Sequence, residues 1–337
     1  MEEANRPASA ANADRPRVSF VIPVLNGETY LPRCLDAIRR LGLETGYEVL
    51  AIDNGSTDST LAILKSARVP YSVFPGISVG ALRNRGARLA RGEYLAFVDS
   101  DVEVGEGWLR EGLAALHADG VVAAGCFPSV PRDATWVQRV WDLHQRAQRP
   151  ERASKPVAWL SSMNMIVRRN AFLTVGGFAE NLETAEDVDL CYRLGALGRN
   201  MYSPAMDAVH WGEARDLRRF WRKEVWRGKG NLRGLKSHGL RWDELPSVMY
   251  PLYVLAMACC LAVGVAVDLW RGTLGVVPAA TAALALPACI LATSAAWQSQ
   301  RFALFPHFAL LYALYGFARA RAVLSSSPWS GEGPRHR

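Results

Sequence analysis

Short apolar runs alternate with helix-like segments along the N-terminal third of the chain. Runs with the length and composition of β-strands occupy 18–22, 47–52, 69–74 and 94–98. Between them, apolar residues recur every three or four positions, which predicts helices near 30–41, 58–64 and 81–90. Strands that alternate with helices at this spacing favour a mostly parallel sheet with helices on both faces. The pattern therefore predicts an α/β fold.

The C-terminal third has a different pattern, in which charged residues are absent from long runs. No charged residue occurs from Val248 to Val267 or from Gly272 to Trp297. At about 1.5 Å per residue, each run matches a hydrocarbon core of roughly 30 Å and predicts a membrane-spanning helix. A third run at 302–318 is shorter and contains Pro306, which favours an interfacial or re-entrant helix. Buried helices of a soluble protein are the alternative, which two long runs in tandem disfavour.

A basic and aromatic segment precedes the first uncharged run. The chain has a formal net charge of +7, and basic residues crowd between Arg215 and Arg241, together with Trp221 and Trp226. Nucleic-acid binding is one interpretation of such a segment. Basic and aromatic residues directly before a spanning helix fit anionic lipid headgroups and the positive-inside rule better. We therefore expect membrane lipids and no nucleic acid as partners, with the preceding residues in the cytoplasm.

These patterns predict five segments. They are a disordered tail at 1–16, a large α/β domain at 17–215, basic-aromatic interface helices at 216–246, transmembrane or membrane-associated helices at 247–322, and a tail at 323–337. The first tail is polar and lacks the apolar core of a signal peptide. The second half of the α/β domain is less regular, with strand-like runs at 121–127 and 161–167 and a helical run at 134–146. The six cysteines have no CxxC or Cys/His spacing, and we expect them to be reduced.

Polar side chains follow the ends of the predicted strands, as Asn26, Asp53 and the pair Asp99 and Asp101 do. The carboxyl ends of parallel strands meet at one edge of a sheet, where ligands bind. Two carboxylates separated by one residue can share a hard divalent cation and leave positions for phosphate oxygens. Such acids are also common as solvated turn residues. Neither a GxxxxGK[ST] nor a GxGxxG motif is present, which disfavours P-loop and dinucleotide-binding proteins.

Five motifs, taken in their order and spacing, resemble glycosyltransferase family 2. They are Ile22–Glu28, Asp53–Asp58, Ala81–Gly86, Asp99–Asp101, and Gly176–Phe178 followed by Glu186–Leu190. The resemblance covers the α/β domain at 17–215. It implies a GT-A fold, a nucleoside-diphosphate sugar donor, Mg²⁺ or Mn²⁺ as cofactor, and inversion at the anomeric carbon.

The resemblance also implies roles for individual residues. The nucleotide-sugar pocket would be lined by Pro23, Asn26, Glu28, Asp53, Arg83 and Asp99. The metal would be held by Asp101, with Asp99 and His210 as further candidates. Asp187 matches the general base that takes the proton of the acceptor, and Glu186 beside it would position the acceptor or tune that carboxylate. The acid pair also suits an ordinary helix N-terminus, and a lone histidine among apolar residues is often structural.

The sequence leads to one main hypothesis and two alternatives. The main hypothesis is a non-processive, multi-pass glycosyltransferase of the inner (cytoplasmic) membrane, with a cytoplasmic catalytic domain and a hydroxyl of a lipid-linked or envelope glycan as acceptor. Processive synthesis is disfavoured because the QxxRW signature is not matched: the order near Arg222 is Trp226-Arg227. A hydroxyl acceptor is favoured because a polyprenyl phosphate is already anionic and needs no base. The alternatives are a polyprenyl-phosphate glycosyltransferase and a non-catalytic membrane scaffold.

Overall fold

The computed structural model describes residues 16–42, 46–147, 153–238 and 245–325, with the side chains of all of these except 147, 229–238 and 245. The chain divides into two compact units. The first lies within Met1–Ser129 and Pro150–Gly212, and the second within Val130–Arg149 and Glu213–Arg337. The predicted 1–16 tail, apart from Pro16, and most of the predicted 323–337 tail lie outside the described residues.

The regular elements are numbered in chain order. The strands are β1 Val18–Val24, β2 Tyr47–Asp53, β3 Tyr71–Val73, β4 Tyr94–Val98, β5 Val102–Val104, β6 Val121–Gly125, β7 Lys155–Val157, β8 Asn164–Arg168, β9 Arg199–Tyr202 and β10 Ala208–His210. The helices are α1 Leu31–Arg40, α2 Thr60–Ser66, α3 Val79–Leu89, α4 Trp108–His117, α5 Trp136–Ala147, α6 Arg169–Thr174, α7 Glu186–Leu194, α8 Leu217–His238, α9 Leu245–Arg271, α10 Val276–Gln298 and α11 Phe305–Ser325. The strands and helices predicted up to residue 98 are all present.

The first unit is built on an eight-stranded sheet in the order β3-β2-β1-β4-β8-β6-β9-β7, with β5 and β10 in a separate two-stranded sheet. Strands β3, β2, β1 and β4 are parallel, as the sequence pattern predicts. Strand β8 runs antiparallel to both β4 and β6. Its first residue, Asn164, pairs with Val98, the last residue of β4. The chain therefore enters β8 at the same edge of the sheet where β4 ends.

The core of the first unit is apolar and closely packed. Helix α3 lies so close to β1 that a Cβ on Gly86 would stand 2.3 Å from Cγ1 of Val21. Under β4, the Phe97 ring packs 5.3 Å from the Phe172 ring and 5.1 Å from the Phe178 ring. Full burial of one phenylalanine stabilises a fold by about 1.5–3 kcal/mol. This packing fixes the ends of β1, β2 and β4, from which the polar residues extend.

The second unit contains α5 and the C-terminal helices. The Trp141 ring of α5 packs 4.8 Å from the Phe220 ring of α8. Glu224 of α8 is 1% exposed and accepts hydrogen bonds from Arg319 of α11 and from Arg227. A buried carboxylate needs such partners because its desolvation is costly. Residues 130–147 thus belong to the same unit as the C-terminal helices, although they lie inside the predicted 17–215 segment.

Two helices of the second unit are long and apolar enough to cross a membrane, Pro246–Arg271 and Val276–Gln298. Only 17% and 11% of their most apolar stretches are buried in the chain, which suits a lipid environment better than a protein core. In the last turn of α9, Asp268 accepts hydrogen bonds from the amides of Val276 and Val277 and so caps α10. The α11 helix, which contains the third uncharged run, is not one of the helices that are long and apolar enough to cross a membrane.

Candidate functional site

The loop after β2 is held by a buried carboxylate. Asp53 is fully buried and accepts hydrogen bonds from the amides of Gly55 at 2.8 Å and Ser56 at 2.9 Å. These bonds turn the chain sharply, and Gly55 takes a φ of +86° that few other residues adopt. Asp53, predicted to contact the nucleotide, therefore shapes the loop that carries Ser56 and Asp58.

The loops after β1 and β2 are joined by reciprocal hydrogen bonds. Oδ1 of Asn26 accepts from the amide of Thr57 at 2.9 Å. Glu28 accepts from the amide of Ser59 at 3.1 Å, and its own amide donates to Asp58 at 3.0 Å. Asn26 and Glu28 are exposed, so their remaining polar atoms face solvent at this edge. Pro23, also predicted to line the pocket, is buried within β1.

A buried guanidinium joins two acids that come from different parts of the chain. Arg83 of α3 donates from Nη2 to Asp99 at 2.7 Å and from Nη1 to Glu186 at 2.8 Å. Burial alone would lower the pKa of Arg83, but the adjacent Asp99 and Glu186 carboxylates raise it. The structure thus brings together three predicted site residues at the end of β4 and the start of α7.

Helix α7 begins with the predicted catalytic acids. Ala185, just before it, has a left-handed φ of 64°, a conformation that costs energy for a residue with a Cβ. Glu186 is buried, whereas Asp187 is partly exposed and accepts a hydrogen bond from the amide of Val188 at 2.9 Å. The amide of Ser162, which precedes β8, also bonds to Asp187. These hydrogen bonds fix the direction of the Asp187 side chain, part of which remains accessible to solvent.

The environment raises the pKa values of both acids. Burial raises the pKa of Glu186 to about 7, and the charge of Asp187 adds to the rise while Arg83 opposes it. Burial likewise raises the pKa of Asp187, against the lowering effect of Arg83 and of its amide donors. Two neighbouring carboxylates in a site of low polarity resist simultaneous ionisation, so they titrate as a pair. Perturbed carboxyl groups of this kind are typical of proton-transfer sites.

The small sheet brings Asp101 and His210 together. Strand β10 pairs with β5, so that His210 stands opposite Val102. Nε2 of His210 lies 3.3 Å from Oδ2 of Asp101, and His210 is buried. A carboxylate and an imidazole can both bind a divalent cation. Among the residues that the structure describes, no group of three or more His, Cys, Asp and Glu side chains could hold a metal ion.

A cation held by so few side chains would take its other ligands from water and a bound phosphate, as Mg²⁺ does when one or two carboxylates bind it. Asp99, the other predicted metal ligand, pairs with Arg83.

Two neighbours of this pair were not predicted from the sequence. A Cβ on Gly212 would lie 1.8 Å from Oδ2 of Asp101 and 3.1 Å from Nε2 of His210. Trp211 donates from its amide to the carbonyl of Asp101 at 2.9 Å and from Nε1 to Glu103 at 3.0 Å. The sequence alone does not indicate these roles, because they depend on the pairing of β10 with β5. Gly212 leaves space for the Asp101 carboxylate, and the amide of Trp211 holds the backbone of Asp101 in place.

Comparisons with known proteins place these motifs in a family. The model of the family "Glycosyl transferase family 2" matches residues 19–176. The N-acetylglucosaminyl-diphospho-decaprenol L-rhamnosyltransferase of Mycobacterium tuberculosis is 31% identical over 209 residues, which cover 50% of this chain and 68% of that protein. The chain belongs to glycosyltransferase family 2. Glycosyltransferase AglE of Haloferax volcanii is another relative of this glycosyltransferase, 29% identical over 226 residues, which cover 64% of this chain and 73% of that protein.

Other curated relatives are longer, and the family 2 glycosyltransferase spans about half of their length, 51% and 53% in two cases. Among solved structures, a mannosyltransferase from Pyrobaculum calidifontis, in complex with GDP-Man and Mn²⁺, aligns with a TM-score of 0.58 and 19% identity. The alignment covers 94% of this chain and 88% of that one. The likeness confirms the GT-A fold predicted from the motifs. Family membership sets aside the non-catalytic scaffold.

Proposed function

We propose that this glycosyltransferase moves one sugar, with inversion, from a nucleoside-diphosphate sugar to a hydroxyl of a lipid-linked or envelope glycan. The observation that carries the proposal is the acid pair at the start of α7, in which Asp187 is partly exposed and Glu186 is tied through Arg83 to Asp99. A base at this position can take the proton of an attacking hydroxyl. The proposal makes Asp187 that base.

The donor side would be formed by the loops after β1, β2 and β4. Asp53, Asn26 and Glu28 shape or line this edge, where ligands of such sheets bind. Asp101 and His210 would hold a divalent cation, Mg²⁺ or Mn²⁺. When bound, that cation would neutralise the diphosphate and stabilise it as the leaving group. The Mn²⁺ and GDP-Man bound to the P. calidifontis mannosyltransferase support this choice.

The acceptor distinguishes the main hypothesis from its alternative, transfer to a polyprenyl phosphate. A phosphate oxygen is already negatively charged, so an enzyme that transfers sugar to it does not need a base with a raised pKa. The name of the M. tuberculosis relative also describes an acceptor that is a sugar on a lipid diphosphate. Both points support a hydroxyl acceptor here.

One assay separates the two acceptors. Purified full-length protein is incubated with Mn²⁺ and a panel of nucleotide sugars, together with either undecaprenyl phosphate or a diphosphoprenyl-linked saccharide. We expect release of the nucleoside diphosphate to depend on the saccharide. Release with undecaprenyl phosphate alone would favour the alternative, and no release with any combination would contradict the proposal.

The acid pair also predicts a pH dependence. Protonation of the pair removes the base, and because burial raises both pKa values, the rate should fall as the pH drops below neutrality rather than only near pH 4. In Glu186→Gln, the neighbouring negative charge is lost, so the acid limb of kcat/KM against pH should move to lower pH. An acid limb that stays in place in this variant would show that the two carboxyls do not titrate together.

We further propose that α8 lies against anionic lipid at the cytoplasmic face, with α9 and α10 in the membrane. Phe220 and Glu224 of α8 are buried, whereas Arg218, Arg222 and Trp226 follow at four-residue spacing and are exposed. Residues four apart share one side of a helix. No described residue pairs with Arg218 or Arg222. A basic stripe with an aromatic residue suits anionic headgroups.

Replacement of the two arginines tests this surface. Each basic residue near an anionic membrane contributes about 1 kcal/mol, so Arg218→Gln with Arg222→Gln should lower the protection of α8 amides roughly 30-fold in anionic nanodiscs. Hydrogen exchange of the full-length protein, in nanodiscs with and without anionic lipid, measures the effect. Lys65→Gln, an exposed change in the first unit, is the control. Equal protection of α8 in both lipids for the unaltered protein would contradict the lipid contact.

A further inference from the structure

We propose that Arg83 is a positioning residue that ties the acid at the end of β4 to the acid at the start of α7, and not a ligand of the donor diphosphate. The proposal rests on the proposed function, because it concerns how the base Asp187 is held. It departs from the expectation that Arg83 lines the nucleotide pocket.

Both terminal nitrogens of Arg83 are already committed to carboxylates. Nη1 lies 2.8 Å from Oε1 of Glu186, and Nη2 lies 2.7 Å from Oδ1 of Asp99. The arginine side chain is 3% exposed, and Nε is buried without a hydrogen-bond partner among the described residues. The planar fork of a guanidinium holds its partners in fixed directions, which an ammonium group does not. Arg83 therefore sets the distance and orientation between Asp99 and Glu186.

The surroundings of Arg83 leave little room for a phosphate group. The Phe178 ring lies 5.5 Å from the guanidinium carbon. On the same helix, a Cβ on Gly80 would stand 3.2 Å from Cβ of Phe178, which is a tight contact, and 3.6 Å from Cγ of Glu186. To reach a diphosphate, Arg83 would have to leave one carboxylate buried without its cation, which is strongly unfavourable. The packing instead suits a permanent link between the two acids.

The link also explains how two adjacent acids are tolerated at the start of α7. Glu186 is buried beside Asp187, and Arg83 is the cation that opposes the rise of both pKa values. Ala185 holds the turn before them in a left-handed conformation. With Glu186 anchored to Arg83, the direction of the next side chain, Asp187, follows from the first turn of the helix. A shift of the base by about 1 Å is enough to cost roughly 100-fold in rate.

The test separates positioning from donor binding. In Arg83→Lys, the charge stays but the fork is lost, so we expect kcat to fall roughly 100-fold while the donor Kd, measured by calorimetry with Mn²⁺, changes less than about 3-fold. In Glu186→Gln, we expect a smaller loss of kcat, about 10-fold, and again an unchanged donor Kd. Arg88→Lys, an exposed change on α3, is the matched control and should keep both values.

The energetic coupling between Arg83 and Glu186 gives a second readout. The double variant Arg83→Lys with Glu186→Gln should lose no more kcat than Arg83→Lys alone, because both changes break one link. A donor Kd raised tenfold or more in Arg83→Lys, with kcat retained, would make Arg83 a donor ligand and overturn the proposal. If Arg83→Lys does not fold, a wild-type kcat in Glu186→Gln would overturn it as well. Failure of the proposed function itself would differ, since the unaltered protein would then neither bind nor consume a donor.

Discussion

Replacement of Asp187 by asparagine is expected to reduce the rate of sugar transfer by about 1000-fold or more, without weakening donor binding. A positioned base contributes typically 100- to 10,000-fold to a rate, and asparagine cannot accept the proton of a hydroxyl. The change keeps the size of the side chain, so the amide donors of Val188 and Ser162 retain an oxygen to bind. Initial rates with saturating donor and acceptor, beside donor Kd from calorimetry, measure the two effects separately.

A control on the same helix distinguishes loss of the proposed base from damage to α7. Asp189→Asn removes an equal charge two residues later, where the carboxylate pairs with Arg193 one helical turn further along α7. Loss of this charged hydrogen bond should lower the free energy of unfolding by about 1–3 kcal/mol and leave the transfer rate near its original value. If Asp187→Asn keeps the turnover of the unaltered enzyme, the base assignment is wrong and an anionic acceptor becomes the better explanation.

Replacement of Gly212 by alanine is expected to damage the proposed metal site, although glycine has no side chain to bind a metal. The new methyl group would stand 1.8 Å from Oδ2 of Asp101, far inside contact distance, so the carboxylate must move. It would also stand 3.1 Å from Nε2 of His210. A mutation that disturbs the orientation of a metal ligand typically costs 10- to 100-fold in metal affinity or activity. We expect the Mn²⁺ concentration for half-maximal rate to rise by about that factor.

A second glycine serves as the control for this change. A Cβ on Gly107, before α4, would meet nothing closer than the Arg110 guanidinium at 3.4 Å, which is ordinary contact with a flexible side chain. Gly107→Ala should therefore leave the Mn²⁺ requirement unchanged. An unaltered Mn²⁺ requirement in Gly212→Ala would mean that Asp101 does not hold the cation at this place.

The fold of the first half could be predicted because local patterns decide it. Strands β1, β2 and β4 are mostly apolar, and polar residues such as Asp53 and Asp99 mark their ends. Parallel pairing then brings those residues to one edge. The reversal at β8 could not be predicted from its own residues, because 161–167 reads as a strand in either direction and only its pairing with β4 fixes the sense.

The motifs indicated which residues to consider for the candidate site, but not how those residues contact one another. The motifs indicated Arg83, Asp99 and Glu186 separately, and only their folded positions put two carboxylates on one guanidinium. The role of Gly212 depends on a close approach across β5 and β10, which are short and have no pattern of their own. The packing of α5 with the C-terminal helices likewise depends on contacts such as that of Trp141 with Phe220, which are distant in sequence.

The most direct test of the proposed function is a calorimetric titration of the full-length protein with nucleotide-sugar donors, in Mn²⁺ and in EDTA. We expect one class of donor to bind at least about tenfold more tightly with Mn²⁺, because a cation held by Asp101 and His210, as proposed, would neutralise the charge of the diphosphate. In Asp101→Asn, the two titrations should become alike. A donor that binds the unaltered protein equally well in Mn²⁺ and in EDTA would contradict a metal-dependent donor site at Asp101.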